Sequence, residues 1–240
     1  FLNEDILHVY TVNWAGSLRR YNLYDQNSSW EVVPMPMDDQ TSLTFESIDN
    51  FYEIDSHNST SGGNENHKGF SIKVQNDTIW VGTSNGVNKG IIREEYEIDW
   101  THYTKQDGLA GDWVTGIEIQ NLGDIDRIWL ITRTFPYTSH GITYSDDGGA
   151  TWEAIYSTDE LGLFGNHLSF NSDTIFYSTS EGLYVNYVDE SNTNVDFWDE
   201  FHIDEDEDGE LLLDSRIYSS LYNYNQLFIG SSDGLAIYDF

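Results

Sequence analysis

At 240 residues the chain is long enough to bury a sizeable apolar core, as one all-β domain or as an array of repeats. Its 42 Asp plus Glu against 10 Lys plus Arg give a formal net charge of −32. That field repels phosphate backbones and anionic lipid, so nucleic acid and polybasic membrane contact are not expected partners, while cations and basic groups are attracted.

The absence of cysteine removes disulfide frameworks and thiolate chemistry, and no run of apolar residues is long enough to span a bilayer. Three prolines, 20 glycines and 15% aromatic residues suit many short strands joined by turns. The chain opens on Phe1 without a charged, then apolar, leader, which gives the expectation of a mature or excised segment.

One pattern recurs five times along the chain. An apolar strand ends in a hydroxyl residue, a short turn with Gly follows, and a second strand opens on an aliphatic residue. The first and least regular copy is Ile6 to Thr11 followed by Gly16-Ser17-Leu18, with Arg19 and Arg20 in its second strand and Trp30 to Val33 as an outer strand. A long interruption from Pro36 to Lys68 then reads as loop, polar and Gly-rich in its second half. Its length makes it the expected carrier of contacts to a partner. His57 and His67 lie in it at a spacing unlike a zinc site, and a surface role is expected for both.

The next copies are clearer. Phe70 to Val74 reads as an innermost strand, Asp77 to Val87 as the hairpin, and Trp100 to Thr104 as the outer strand. Val114 to Ile119, Arg127 to Thr132 with Gly141-Ile142, and Trp152 to Tyr156 form the third set. His167 to Asn171, Asp173 to Leu183 and Phe197 to His202 form the fourth. Ile217 to Tyr222 and Gln226 to Leu235 form the fifth. Alternation at period two argues strand throughout. From Ile79 to Ile128 is 49 residues, from Ile128 to Ile175 is 47, and from Ile175 to Leu227 is 52. A period near this length is that of a four-stranded propeller blade.

The predicted fold class is therefore all-β, a β-propeller of four-stranded antiparallel blades. The blades fall at about 1–35, 66–104, 112–157, 164–202 and 211–240, with the long loop at 36–68, in one domain or propeller segment over 1–240. The first blade lacks room for an innermost strand and the last stops before an outer one. A five-bladed domain with trimmed edge blades is favoured over an arc of a larger propeller, since an open arc leaves sheet edges free to pair.

Two motifs stand out within this frame. The stretch Ile142 to Ile155 reads strand, tight turn, strand, and Ser145-x-Asp147-x-Gly149-x-Thr151-Trp152 specifies the turn. Asp147 can accept backbone N–H groups, Gly148 and Gly149 permit positive φ, and Trp152 anchors the far strand. The run Asp204-x-Asp206-x-Asp208-Gly209 matches the first half of an EF-hand-like loop. Asp204, Asp206 and Asp208, with Glu210 through its carbonyl and Asp214, are the candidate calcium ligands. A solvated acidic linker is the competing reading, because the position of the bidentate Glu is Ser215.

The Ser145 to Trp152 motif resembles the Asp-box (BNR) turn between outer strands of propeller blades. Tyr103 to Val114 followed by Ile128 to Thr132, together with Ile79 to Val87 and Leu227 to Leu235, resembles the two-component-regulator propeller repeat. That resemblance covers roughly Phe70 to the C-terminus. It implies the extracytoplasmic part of a bacterial sensor, or a module of a secreted surface protein.

The Asp-box also invites comparison with sialidases, which hold a carboxylate with three arginines. Arg19, Arg20, Arg93, Arg127, Arg133 and Arg216 are available, but the Arg-Ile-Pro motif is absent. No phosphate-binding loop, dinucleotide fingerprint or His-Glu-x-x-His occurs.

The reading is a non-catalytic propeller module, a ligand-binding or structural platform for protein or carbohydrate on a propeller face, requiring no cofactor. A glycosidase or lyase propeller with channel carboxylates, a periplasmic sensor domain, and self-assembly through the edge blades are the alternatives.

Overall fold

The computed structural model of the chain describes residues 8–48, 54, 63–94, 97–135, 139–160, 162–187, 198–201 and 216–240. The calcium expectation at Asp204, Asp206, Asp208, Glu210 and Asp214, and His57, lie outside them.

Five antiparallel sheets follow one another in chain order. The first holds β1 (His8–Asn13), β2 (Ser17–Asn22) and β3 (Glu31–Val32). The second holds β5 (Gly69–Gln75), β6 (Thr78–Thr83), β7 (Gly86–Ile92) and β8 (Ile98–Tyr103), with β4 (Ser42–Leu43) added outside β8. The third is β9 (Trp113–Asn121), β10 (Asp126–Thr134), β11 (Ser139–Ser145) and β12 (Glu153–Ile155). The fourth is β13 (Gly165–Asn171), β14 (Thr174–Thr179), β15 (Leu183–Tyr187) and β16 (Asp199–Glu200). The fifth is β17 (Ile217–Asn223), β18 (Gln226–Ser231) and β19 (Leu235–Asp239). The single α-helical turn among the described residues is α1 (Ser157–Glu160).

The hairpins form because β-branched and aromatic residues alternate on either side of turns that need positive φ. Gly86 shows the requirement: at φ 100° it starts β7, and a Cβ there would run into the backbone of Tyr103. Gly182 and Gly234 adopt φ 143° and 138° at the matching turns of the fourth and fifth sheets.

Contacts divide the chain into two units, residues 1–106 with 112–117, and 107–111 with 118–240. In the first unit, Leu18, Val33 and Met35 pack with Leu43, Ile79, Val81, Ile98 and Trp100, so the first two sheets share a core. In the second unit, Trp129, Ile131, Ile142 and Tyr144 of the third sheet pack on Leu168, Ile175, Tyr177 and Trp198 of the fourth. Phe176, Leu183 and Val185 of the fourth then cover Ile217, Leu227 and Ile229 of the fifth. The fourth sheet thus buries both faces.

Three details depart from the sequence expectations. Part of the 36–68 interruption is built structure: β4 pairs with β8, Leu43 opposite Trp100, because the apolar Leu43 completes the core edge beside that ring. His67 is buried rather than on the surface, its Nε2 3.4 Å from the Met35 carbonyl. Trp30 precedes β3 and is exposed, whereas Trp100, Trp152 and Trp198 are buried.

Candidate functional site

The turn singled out by sequence is closed by its own side chains. Ser145 Oγ donates to Asp147 Oδ1 at 2.9 Å and accepts from the Gly149 N–H at 2.8 Å. Thr151 donates twice to Asp147, from its N–H at 2.8 Å and from Oγ1 at 2.6 Å. Gly148 and Gly149 take φ 68° and 92°. The Thr151 hydroxyl, then its N–H, hold the Asp147 carboxyl down to about 2. Trp152 follows and is buried. All five residues serve the β11–β12 connection, and none of them faces another in a constellation for chemistry.

Beside this turn Arg127, buried at the start of β10, grips Asp146 with Nε at 2.6 Å and Nη2 at 2.8 Å. Its guanidinium lies 4.6 Å from the Tyr144 ring centroid and 5.5 Å from that of Trp129. The ion pair, the two rings and the turn form one brace. Burial, then the hydrogen bond to Glu153, pushes the Tyr144 phenol up to about 12. Arg133 instead donates to the Gly165 carbonyl at 2.7 Å, Arg20 pairs with Glu31 and Arg93 with Asp99. These arginines are engaged in four separate places.

A different cluster, which the sequence did not single out, gathers three aromatic rings, among them an exposed tryptophan. Trp14 sits in the β1–β2 turn, Phe70 is the second residue of β5, and Trp113 opens β9. Their rings meet with centroids 5.3 Å apart for Trp14 and Phe70, 5.6 Å for Trp14 and Trp113, and 5.1 Å for Phe70 and Trp113. Trp14 is 45% exposed, and Phe70 and Trp113 are half-buried. Two of the three stand at the start of innermost strands, where sheet packing fixes their backbones.

The rest of the long interruption supports this cluster. Lys68 Nζ lies 5.4 Å from the Trp14 ring centroid and pairs with Glu65, which also accepts from Ser84 Oγ at 2.6 Å. Buried Asn66 donates to the Pro36 carbonyl at 2.8 Å and accepts from Thr83 at 2.8 Å and Asn88 at 2.8 Å. Asp38 receives the Glu65 and Asn66 N–H groups at 2.9 and 2.7 Å. His102 spans the Gln40 and Asn85 carbonyls at 2.9 and 2.6 Å. These bonds fasten 36–40 and 63–68 to the second sheet, so the described ends of the long interruption brace the platform. Polar spacing in a Gly-rich run gave no sign of it, because the partners of Asp38, Asn66 and His102 lie 17 or more residues away.

Among the described residues of innermost strands, Glu118 Oε1 lies 3.5 Å from His167 Nε2, an arrangement suited to acid–base chemistry. Among the described residues no group of three or more His, Asp or Glu is gathered as a metal site. No helix of the described residues is long and apolar enough to cross a membrane.

No protein-family model and no curated protein matches the chain. Solved structures do. PorZ, a bacterial surface component of the type-IX secretion system of Porphyromonas gingivalis, superposes with a TM-score of 0.62 at 13% identity over 97% of this chain and 31% of its own. The extracellular domain of BT4673 from B. thetaiotaomicron gives 0.53 at 14% identity over 99% of this chain and 31% of that one. YCF48, solved bound to D1 peptide, gives 0.52 at 13% identity over 97% of this chain and 60% of that one. The chain spans about a third of the first two and under two thirds of the third. At such identities the likeness shows the fold alone, an all-β fold of propeller-type, four-stranded antiparallel blades with three-stranded sheets at its ends.

Proposed function

We propose that the chain is a non-catalytic module of a bacterial surface or secreted protein and that it binds a peptide segment of a protein partner on the Trp14–Phe70–Trp113 platform. The observation that carries the reading is a solvent-facing tryptophan fixed by two half-buried rings at the start of innermost strands. Rigid aromatic surface of this kind supplies contact area at small entropic cost and is enriched at the energetic centres of protein interfaces. Extracellular and surface propellers of similar fold, and one solved with a peptide, support it.

Panning a random 12-residue peptide library against the chain and against Trp14→Ala tests the proposal. Peptides retained by the native chain and lost at least ten-fold by the variant support it; equal retention by both overturns it. The enzymatic alternative is addressed by a panel of glycosides with Glu118→Gln as comparison. Turnover abolished by that substitution replaces the binding reading with a catalytic one.

Calcium at Asp204, Asp206, Asp208, Glu210 and Asp214 rests on the sequence pattern. Calorimetry with Ca²⁺ on the native chain and on Asp206→Ala decides it, a native chain without binding heat removing the site.

A further inference from the structure

Trp14, Phe70 and Trp113 all belong to the first of the two units, and so does the rim around them. Contacts lead round that rim in a closed circuit. Lys68 Nζ lies 5.4 Å from the Trp14 ring centroid and pairs with Glu65. The Glu65 N–H donates to Asp38 Oδ2 at 2.9 Å, and Asn85 Nδ2 donates to Asp38 Oδ1 at 3.1 Å. Gly86, the next residue, donates its N–H to the Asp112 carbonyl at 2.6 Å, and Asp112 precedes Trp113 in the chain. Asp38, Glu65 and Asp112 thus stand on the rim against one ammonium, Lys68, which Glu65 already pairs.

Two observations bear on what this seat would take. The Trp14 ring already holds a cation, Lys68, and it remains 45% exposed. An indole is the best aromatic partner of a cation, and a guanidinium stacks on it better than an ammonium because it is planar and more weakly hydrated. The chain makes the same contact internally, with the Arg127 guanidinium 4.6 Å from the Tyr144 ring centroid. The second observation is charge. The excess of carboxylates on the rim, within the field of a chain of net charge −32, draws cationic groups and repels acidic ones.

We infer that the partner segment is basic, and that one of its arginine side chains lies on the exposed part of the Trp14 indole with its charge matched by Asp38, Glu65 and Asp112. The inference rests on the peptide-binding reading of this platform and adds the class of peptide. The rings make the seat, and the carboxylates choose the occupant. An acidic segment would bring its carboxylates against those of the rim, and a neutral one would gain nothing from them.

The first test is to sequence the random-library peptides that the native chain retains and Trp14→Ala loses. Arg and Lys should be enriched about three-fold or more over the unselected library, and Asp and Glu depleted. Trp14-dependent peptides without that enrichment overturn the inference and leave the platform a peptide site, whereas no Trp14-dependent peptide at all removes both. The second test is fluorescence anisotropy with one retained peptide carrying an end label. Replacing its arginines with glutamine should raise Kd about ten-fold, and going from about 0.05 to 0.5 M NaCl should raise it several-fold for the arginine peptide. The double variant Glu65→Gln with Asp112→Asn keeps the main-chain bond at Asp112, and circular dichroism checks its fold. It should bind the arginine peptide about five-fold more weakly and the glutamine peptide as the native chain does. Equal losses for the two peptides, or binding of the arginine peptide that salt does not change, overturn the inference.

Discussion

Replacing Asp147 with Ala removes the acceptor around which the β11–β12 turn is closed. Three hydrogen bonds are lost at once, two from Thr151 and one from Ser145, at 2.6, 2.8 and 2.9 Å. The carboxyl titrates at about 2 in the folded chain against an ordinary 3.8, a shift nominally equivalent to about 2 kcal/mol of preference for the charged form. Water around this exposed group screens part of that, leaving about 1 kcal/mol.

The direction with pH follows. Because the folded pKa lies below the unfolded one, the contribution is complete above about pH 4 and drains away as pH falls toward 2. Urea unfolding followed by circular dichroism should place the midpoint of Asp147→Ala roughly 0.5 M below the native one at neutral pH. At pH 3 the gap should narrow to about half. Comparing the two chains at each pH cancels the general effect of protonating the other acidic residues. Equal midpoints at neutral pH, or a gap as wide at pH 3, would refute the account of the turn. Thr151→Val, which keeps the N–H donor and loses the hydroxyl, should cost about 0.5 kcal/mol.

Other outcomes follow from the brace beside the turn. Arg127→Met strands Asp146 and uncovers the faces of Tyr144 and Trp129, and should cost about 3 kcal/mol in thermal or urea unfolding. Arg127→Lys should recover little of it, because the two parallel N–H donors are lost, and 0.5 M NaCl should not remove the deficit, since a buried pair is screened weakly. In ultraviolet titration of the tyrosines, Tyr144 should ionise only near pH 12. Its raised folded pKa contributes stability below about pH 10 that is lost as pH climbs past 12, and Glu153→Gln should bring its titration to lower pH.

Repeats and strands were legible because they are written locally. Asp77 to Val87 and Asp173 to Leu183 carry strand, turn and strand within eleven residues, and each forms one hairpin, Thr83 meeting Gly86 and Ser178 meeting Leu183. The turn at Ser145 to Trp152 was legible for the same reason, since all its hydrogen-bonding partners lie within four residues. Strand β4 was not, because Ser42–Leu43 has no pattern of its own and exists only by pairing with β8. Nor was the burial of His67 and Asn66, whose partners come from Met35 and Pro36 and from Thr83 and Asn88.

By itself the sequence determined the class of fold, the order of the sheets and the closure of the β11–β12 turn. Each of these depends on residues close together in the chain. Only the tertiary structure decided which aromatics face solvent. Trp30 stands at the outer strand of its sheet, as the buried Trp100, Trp152 and Trp198 do, and is exposed at 47% because no described sheet packs over it. The candidate platform at Trp14, Phe70 and Trp113 joins residues some 56 and 43 positions apart. Side-chain burial is a property of neighbouring sheets, and no local pattern encodes which face is left uncovered.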